Sequence, residues 1–457
     1  MSRLTALVLA AGEGKRMRSG IPKVLHEIWG KTMVQYILDA LKDITDEKPV
    51  VVVGHKAEMV KERLGQQVVY AYQQRQLGTA HAVKCAREHL SRTDGYVIIL
   101  AGDIPLITAD TLRQMAGECM DNGYSAVVLT AEIDDPGGYG RIVRDDDGQL
   151  REIIEDKDAD QRQKAIKEIN SGIYCFNIRD LLDGLDKISS NNVQGEYYLT
   201  DIIKILREKG LKVKAYKTGD ATEIMGVNDR VQLARAAEVL RERIMVGLML
   251  QGVTIIDPCN TYIDSTVAIG RDTIVYPGNT IQGQTTIGQG CIIYPNSRIA
   301  DSHIGNNVKI QASVILESKV EDDTTVGPFA YLRPNSRIGQ GVRIGDFVEV
   351  KNSSIGNGSK VSHLSYIGDA EIGSGVNVGC GVVVVNYDGK AKHKTTVRDK
   401  AFIGCNVNLI APVEIKEGAY IAAGSTITHD VPEYSLAIAR SRQSIKPEWV
   451  KKKMKNK

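Results

Sequence analysis

Two groups of residues in this 457-residue chain have types and spacings that could do chemistry. The first is the run Leu9-Ala10-Ala11-Gly12-Glu13-Gly14-Lys15-Arg16-Met17, with Lys23 seven residues beyond Arg16. It offers a glycine turn with backbone N–H groups, an arginine and a lysine, which together make a cradle for phosphate. No Gly-Lys-Ser/Thr closes it as in a P-loop, and Met17 stands where a dinucleotide fingerprint needs its third glycine. A tight strand-to-helix turn with solvated cations would look the same. Asp103 follows the apolar run Val97–Ala101, where a parallel sheet exposes its carboxyl edge. It suits a metal ligand, or a cap for the next segment. Asn228, taken by itself, reads as the N-cap of a following helix.

The second group depends on a repeat. From Ile263 to Ile427, 28 positions at a period of about six are all Ile, Val or Leu, with phase breaks before 304, 320, 355, 372 and 397. The position after the aliphatic is often Gly. Neither a helix nor a flat strand makes a six-residue repeat, whereas a parallel β-helix does, at three hexads per coil and about nine coils in all. Stacking then predicts neighbours. Arg333 and Lys351 each follow an aliphatic position three hexads apart, so the two cations share a site on successive coils, where an anion between them would relieve their repulsion. Glu349 aligns with Tyr366 by the same count. His363 lies in the coil of Tyr366, off the aliphatic positions, and is a candidate base. Between Val384 and Val397 the 13-residue interval holds an insertion, with Asn386-Tyr387-Asp388-Gly389-Lys390 leaving the coil.

The elements that must position the first group alternate. Leu4–Ala10, Val50–Val53, Val68–Ala71, Val97–Ala101 and Ala126–Ala131 read as strands, with amphipathic helices such as Met33–Lys42 and Ala80–His89 between them. That pattern is an α/β fold with a mostly parallel sheet, expected over residues 1–228. A helix over 229–250 follows, with Leu233, Ala237, Leu240, Ile244 and Leu248 on one face. The coil is expected over 251–437 and a basic tail over 438–457.

Composition narrows the classes. Lys and Arg number 58 against 56 Asp and Glu, a net charge of +2, which argues against a specific nucleic-acid binder. Residues 440–457 hold eight Lys/Arg against one Glu, so the basic excess is a tail. Seven Cys without framework spacing indicate reduced thiols and a cytoplasmic setting. No Cys/His cluster has zinc-ligand spacing. The N-terminal apolar run is too short for a transmembrane segment and lacks the preceding charges of a signal peptide.

Leu-Ala-Ala-Gly-x-Gly-x-Arg-Met with Pro22-Lys23 resembles the sugar-phosphate nucleotidyltransferases. Further matches follow in order: Gln73, Leu77-Gly78-Thr79-Ala80, Ala101-Gly102-Asp103, Gly138-Tyr139-Gly140-Arg141, Glu155-Asp156-Lys157, Asn170-Ser171-Gly172, Gly195 to Asp201 and Gly226-Val227-Asn228. With the hexapeptide half, the chain from about residue 4 to Arg440 resembles the bifunctional N-acetylglucosamine-1-phosphate uridyltransferase/glucosamine-1-phosphate N-acetyltransferases. The resemblance implies a Rossmann-like nucleotidyltransferase domain, a left-handed β-helix, a homotrimer, and Mg²⁺, UTP and acetyl-CoA as cofactor and co-substrates. It implies that Leu9, Ala10, Ala11, Gly12, Gln73, Gly78 and Thr79 hold the uridine end, and that Asp103 and Asn228 hold Mg²⁺. Gly140, Glu155 and Asn170 would hold the acetylamino sugar, with Arg16 and Lys23 neutralising phosphates. In the coil, Arg333, Lys351, Tyr366 and Asn377 would bind the amino-sugar phosphate. His363 would be the general base, with Glu349 to orient it. Asn386, Tyr387, Cys380, Cys405, Ala423 and Arg440 would line the acetyl-CoA groove. The family pattern has Ser where this chain has Cys405, and a thiol is the weaker hydrogen-bond donor.

Overall fold

The computed structural model describes residues 3–454 except Asp46 and Thr93. Two compact units divide after Leu240.

In the first unit, apolar runs alternate with helices as the sequence dictates. The strands are β1 (Leu4–Leu9), β2 (Val50–Val53), β3 (Val69–Tyr72), β4 (Tyr96–Ala101), β5 (Ala126–Glu132), β6 (Arg141–Arg144), β7 (Leu150–Ile154), β8 (Glu168–Asn177) and β9 (Val213–Lys217). The main sheet runs β9-β5-β8-β4-β1-β2-β3, and β6 and β7 form a hairpin against β8. All neighbours along the main path are parallel except β8, which is antiparallel to both β4 and β5. The near-continuous Val/Ile/Leu content of β1, β2 and β4 follows from burial on both faces. The helix Met33–Lys42 has the bounds its periodicity predicts. The stretch Ala80–His89 is instead two short helices, Thr79–Cys85 and Arg87–Leu90, broken at Ala86.

The chain proceeds outward from β1 to β2 and β3, then returns to lay β4 on the other side of β1. The crevice between the carboxyl ends of β1 and β4 is therefore the switch point where open α/β sheets bind ligands. Leu9 pairs with Ala101 there, and Gly102 N–H donates to the Leu9 carbonyl at 2.8 Å.

The helix Arg230–Leu250 is not a free connector. Its first turns bury Ala236 and Leu240 against Ile28, Met33, Leu106 and Val227. Its last turns bury Met245 and Leu248 in the core of the second unit. Asp229 caps it, its Oδ1 accepting from the N–H groups of Val231 and Gln232 at 2.9 Å each.

The second unit is a prism of three all-parallel sheets with 11, 10 and 9 short strands, the left-handed parallel β-helix of the hexapeptide type. The aliphatic positions point inward and are buried, with one correction. Leu316 is only half-buried, and Ile315 occupies the inward site. The five-residue steps 310–315 and 315–320 cut their corners through Ala312 and Glu317, both at positive φ. A second inward register lies two residues before each aliphatic and holds Ser, Thr, Ala or Val, except for Asn279 and Cys291. Ser336 Oγ, for example, donates to the carbonyls of Arg333 at 2.6 Å and, one coil on, Val350 at 3.1 Å. The frequent glycine after the aliphatic has a steric cause. A Cβ on Gly404 would lie 2.5 Å from the Ala423 nitrogen on the next coil.

Candidate active sites

The crevice of the first unit is a cleft of about 270 Å³ lined by Leu9 to Gly12, Lys23, Gln73, Gly78, Thr79, Asp103 and, unforeseen from sequence, Gln76 and Glu196. Gly78 has φ +109°, and a Cβ there would lie 2.5 Å from the Tyr197 carbonyl oxygen, so only glycine fits. Gln73 is buried and donates to the Gly78 carbonyl at 3.2 Å, while Thr79 Oγ1 accepts from Leu199 N–H at 3.0 Å. Gly14 has φ +63° and leaves no room for a Cβ, which would fall 2.8 Å from Lys23 Cβ. The second glycine of the turn thus admits the lysine. Lys23 Nζ donates to Asp103 Oδ2 and, at 3.0 Å, to Asn228 Oδ1. Asn228 does not cap the helix, because Asp229 does. Its amide oxygen and the Asp103 carboxylate converge on one cation-sized point. The Lys23 ammonium stands at that point, and two hard oxygen donors of this kind suit Mg²⁺, which usually takes only one or two protein ligands. Among the described residues no group of three or more His, Cys, Asp or Glu could hold a metal alone. Arg16 is exposed on the short helix Lys15–Met17, without an ion-pair partner among the described residues.

In the same unit, Gly140, Glu155 and Asn170 meet where β6, β7 and β8 pair. A Cβ on Gly140 would lie 3.5 Å from Asn170 Cβ and 3.6 Å from Glu155 Oε2. The Gly140 carbonyl accepts from Asn170 N–H at 2.8 Å. Burial pushes the Glu155 carboxyl up, only partly offset by a hydrogen bond from Thr200 Oγ1 at 3.2 Å.

In the coil, the register stacks Tyr331, Glu349 and Tyr366, as the count of hexads requires. Two expectations change. Arg333 Nη1 donates to Glu349 Oε1 at 2.9 Å, and Lys351 Nζ lies 4.0 Å from Asp369 Oδ2. Carboxylates therefore already neutralise the stacked cations, and no outside anion is needed to relieve them. Glu349 thus pairs with Arg333, and the carboxylate hydrogen-bonded to His363 is that of Asp346, whose Oδ1 meets Nδ1. The rule that found Tyr366 would have found Asp346, since Asp346 and His363 each stand two residues after an aliphatic position on successive coils. The hydrogen bond with His363 holds the Asp346 carboxyl below its ordinary range, so it is an acceptor. The proton must then sit on Nδ1, and the lone pair of the neutral ring on Nε2.

His363 also belongs to a corner column. The carbonyls of Asp346, His363, Cys380 and Cys405 accept, in turn, from the N–H groups of Leu364, Gly381, Asn406 and Gly424, at 2.9, 3.3, 2.8 and 2.8 Å. Arg440 Nη1 donates to the Ala423 carbonyl at 2.7 Å and ends the series. Four residues expected along one groove thus share one edge with His363. Asn377 lies elsewhere, between Lys360 and Phe402 on an adjacent face. In the excursion, Asn386 is buried and donates to Asp369, while Tyr387 is exposed. The Asn386 carbonyl accepts from His393 N–H at 2.8 Å, closing the loop on itself.

Comparison with known proteins agrees with both halves. Residues 6–168 match the MobA-like NTP transferase domain, and residues 266–301, 317–352 and 394–429 match the bacterial transferase hexapeptide repeat. The chain is 57% identical over 99% of its length to a bifunctional protein GlmU of Acetivibrio thermocellus, of which 98% is covered. Bifunctional GlmU proteins of Clostridium acetobutylicum and Clostridioides difficile are 56% and 55% identical over 98% of this chain, with 98% and 97% of their own lengths covered.

Proposed function

The chain belongs to the bifunctional GlmU family of transferases, with a nucleotidyltransferase unit and a hexapeptide acetyltransferase unit, and on that premise we propose which substrates each unit takes and which residues act on them. The coil acetylates glucosamine-1-phosphate from acetyl-CoA. The first unit joins the product to UTP, giving UDP-N-acetylglucosamine and pyrophosphate. The observation that carries this reading is the convergence of Lys23, Asp103 and Asn228 at the β1/β4 crevice, in a chain that also carries the His363–Asp346 pair.

In the first unit, Leu9 to Gly12, Gln73, Gly78 and Thr79 hold the uridine end of UTP, and Gly140, Glu155 and Asn170 hold the acetylamino sugar. A phosphate oxygen of the sugar attacks the α-phosphorus, and the bond to pyrophosphate breaks. Such transfers depend on alignment and charge stabilisation more than on a base. Asp103 and Asn228 would hold Mg²⁺, which supplies neutralising charge when bound. Lys23 and Arg16 bring cations to the phosphates.

In the coil, Arg333, Lys351 and Tyr366 bind the amino-sugar phosphate from one face, with Asn377 approaching from the adjacent one. The sugar amine is largely protonated near neutral pH. Once neutral, it adds to the thioester carbonyl, His363 Nε2 takes the proton released from nitrogen, and the CoA thiolate leaves and is protonated. Asp346 holds the ring in the tautomer this needs. The corner column of Cys380, Cys405, Ala423 and Arg440, with Asn386 and Tyr387 in the excursion, borders acetyl-CoA.

The protein acts as a cytoplasmic homotrimer. Exposed Phe329, Phe347 and Leu364, with the first two rings stacked at 5.3 Å, form an apolar edge that a second coil would cover. No helix among the described residues is long and apolar enough to cross a membrane. Incubating the protein with glucosamine-1-phosphate, acetyl-CoA, UTP and Mg²⁺, then omitting each in turn, and identifying products by mass spectrometry tests the assignment. UDP-glucosamine formed when acetyl-CoA is omitted would refute the order of reactions.

A further inference from the structure

Arg141 is one of the most deeply buried cations of the molecule, at 2% exposure. Its place in the register is central to the sugar end of the first site. It opens β6, where it pairs with Ile154 of β7 on one side and Ile169 of β8 on the other. The residues that follow those two partners are Glu155 and Asn170, and the residue before Arg141 is Gly140. The three proposed sugar contacts thus stand one step from a single arginine and its two cross-strand neighbours.

The guanidinium ties the same three segments together. Nη1 donates to the Tyr139 carbonyl, which fixes the peptide entering Gly140. The carbonyl leaving Gly140 is fixed by Asn170 N–H at 2.8 Å. Nη2 donates to Asp156 Oδ1 at 3.0 Å, next to Glu155. Nε is buried with no protein partner. An ion pair with its cation buried and its carboxylate partly exposed adds little stability over an apolar residue of the same volume. Its specific product is geometry, since a planar fork fixes two partners at once and a lysine cannot.

We propose that Arg141 is the positioning residue of the sugar site: it does not touch the sugar, but holds Gly140, Glu155 and Asn170 in the arrangement that recognises it. This rests on the assignment of those three residues to N-acetylglucosamine-1-phosphate, and predicts that sugar recognition is separable from nucleotide recognition at Arg141.

The test measures both KM values of uridylyl transfer in the full-length protein, with the coil's acetyl transfer as internal control. Misplacement by about 1 Å can cost about 10²-fold, so Arg141→Met should raise KM for N-acetylglucosamine-1-phosphate by about tenfold or more. KM for UTP should stay within about twofold, because Gln73, Gly78 and Thr79 sit on other segments. Arg141→Lys should fall between Met and wild type. Asp156→Asn keeps the accepting Oδ1 and should stay near wild type, whereas Asp156→Ala should repeat the Lys effect. Should Arg141→Met not fold, the Lys and Asp156 variants carry the same comparison. Equal rises in both KM values, or a sugar KM within twofold of wild type in Arg141→Lys and Asp156→Ala alike, would overturn the proposal. If wild type saturates with a different sugar phosphate, the sugar assignment fails. The clamp is then judged by the same split measured with that sugar.

Discussion

Replacing Asp346 by Asn leaves shape and volume almost unchanged but inverts the hydrogen bond to His363. The carboxylate can only accept, so it keeps a proton on Nδ1 and a lone pair on Nε2. An amide can donate to Nδ1 instead, which moves the ring proton to Nε2, where it blocks the base. A positioned base contributes about 10²–10⁴-fold in rate, which sets the ceiling for losing His363 altogether. The His363 side chain is half-exposed, so water competes for the ring and the wrong tautomer is only partly enforced. Asp346→Asn should therefore lower kcat of acetyl transfer by about 10–10²-fold, below the loss in His363→Ala. KM for glucosamine-1-phosphate should change little. Glu349→Gln should do the reverse, since it removes the charge that neutralises Arg333 and disturbs phosphate binding without touching the ring. The assay is a pH–rate profile of thiol release from acetyl-CoA, with uridylyl transfer as control. The reasoning is refuted if Asp346→Asn stays within about twofold of wild type while Glu349→Gln lowers kcat tenfold, because the orienter would then be Glu349.

Asp103→Asn should abolish UDP-sugar formation and leave acetyl transfer intact, and normal nucleotidyl transfer at millimolar Mg²⁺ would exclude Asp103 as ligand. Glu155 has its folded pKa raised by burial, so the folded state holds the proton more tightly, and stability falls as pH rises from the unfolded pKa to the folded one. Glu155→Gln should accordingly raise the Tm at neutral pH, with the gain vanishing in acid where both states are protonated, while weakening sugar binding; calorimetry at pH 3.5 and 7.5 checks it. The inward register at the shortened corners predicts that Ile315→Ala costs about 2–5 kcal/mol and the half-buried Leu316→Ala clearly less. Equal losses in chemical denaturation would mean that the aliphatic phase has been misplaced.

Where a residue's role follows from period and burial, it was legible in the sequence. Met33–Lys42, Val50–Val53 and nearly every inward aliphatic needed only spacing. Leu316 escaped because two adjacent aliphatics fit a six-residue step and a five-residue step equally well, and only the positive-φ corners at Ala312 and Glu317 decide between them. The first site was legible through glycines whose Cβ space is filled, but not Lys23's position between Asp103 and Asn228, which joins residues about 80 and 205 positions apart. Asn228 and Asp229 are both good caps by residue type. Which of them caps depends on where Lys23 stands. The carboxylate bonded to His363 was missed because a column was followed on one face through Glu349, while Asp346 stands at the corner. Arg141 gave no signal beyond its motif, since its burial is set by strands brought together from 141, 154 and 169.

The corner column also works as a ruler. Successive coils advance by about 4.8 Å, so His363, Cys380, Cys405 and Ala423 mark off about 14 Å along one edge. A long, flexible ligand laid there meets one side chain per coil, each at a fixed distance from the base. Distance from the reacting nitrogen is then encoded as distance along the chain. Each graduation can be changed alone, since a coil contacts only its neighbours. Adding or removing one whole coil beyond His363 would lengthen or shorten the reach of the edge by one mark while leaving the proton-transfer pair untouched.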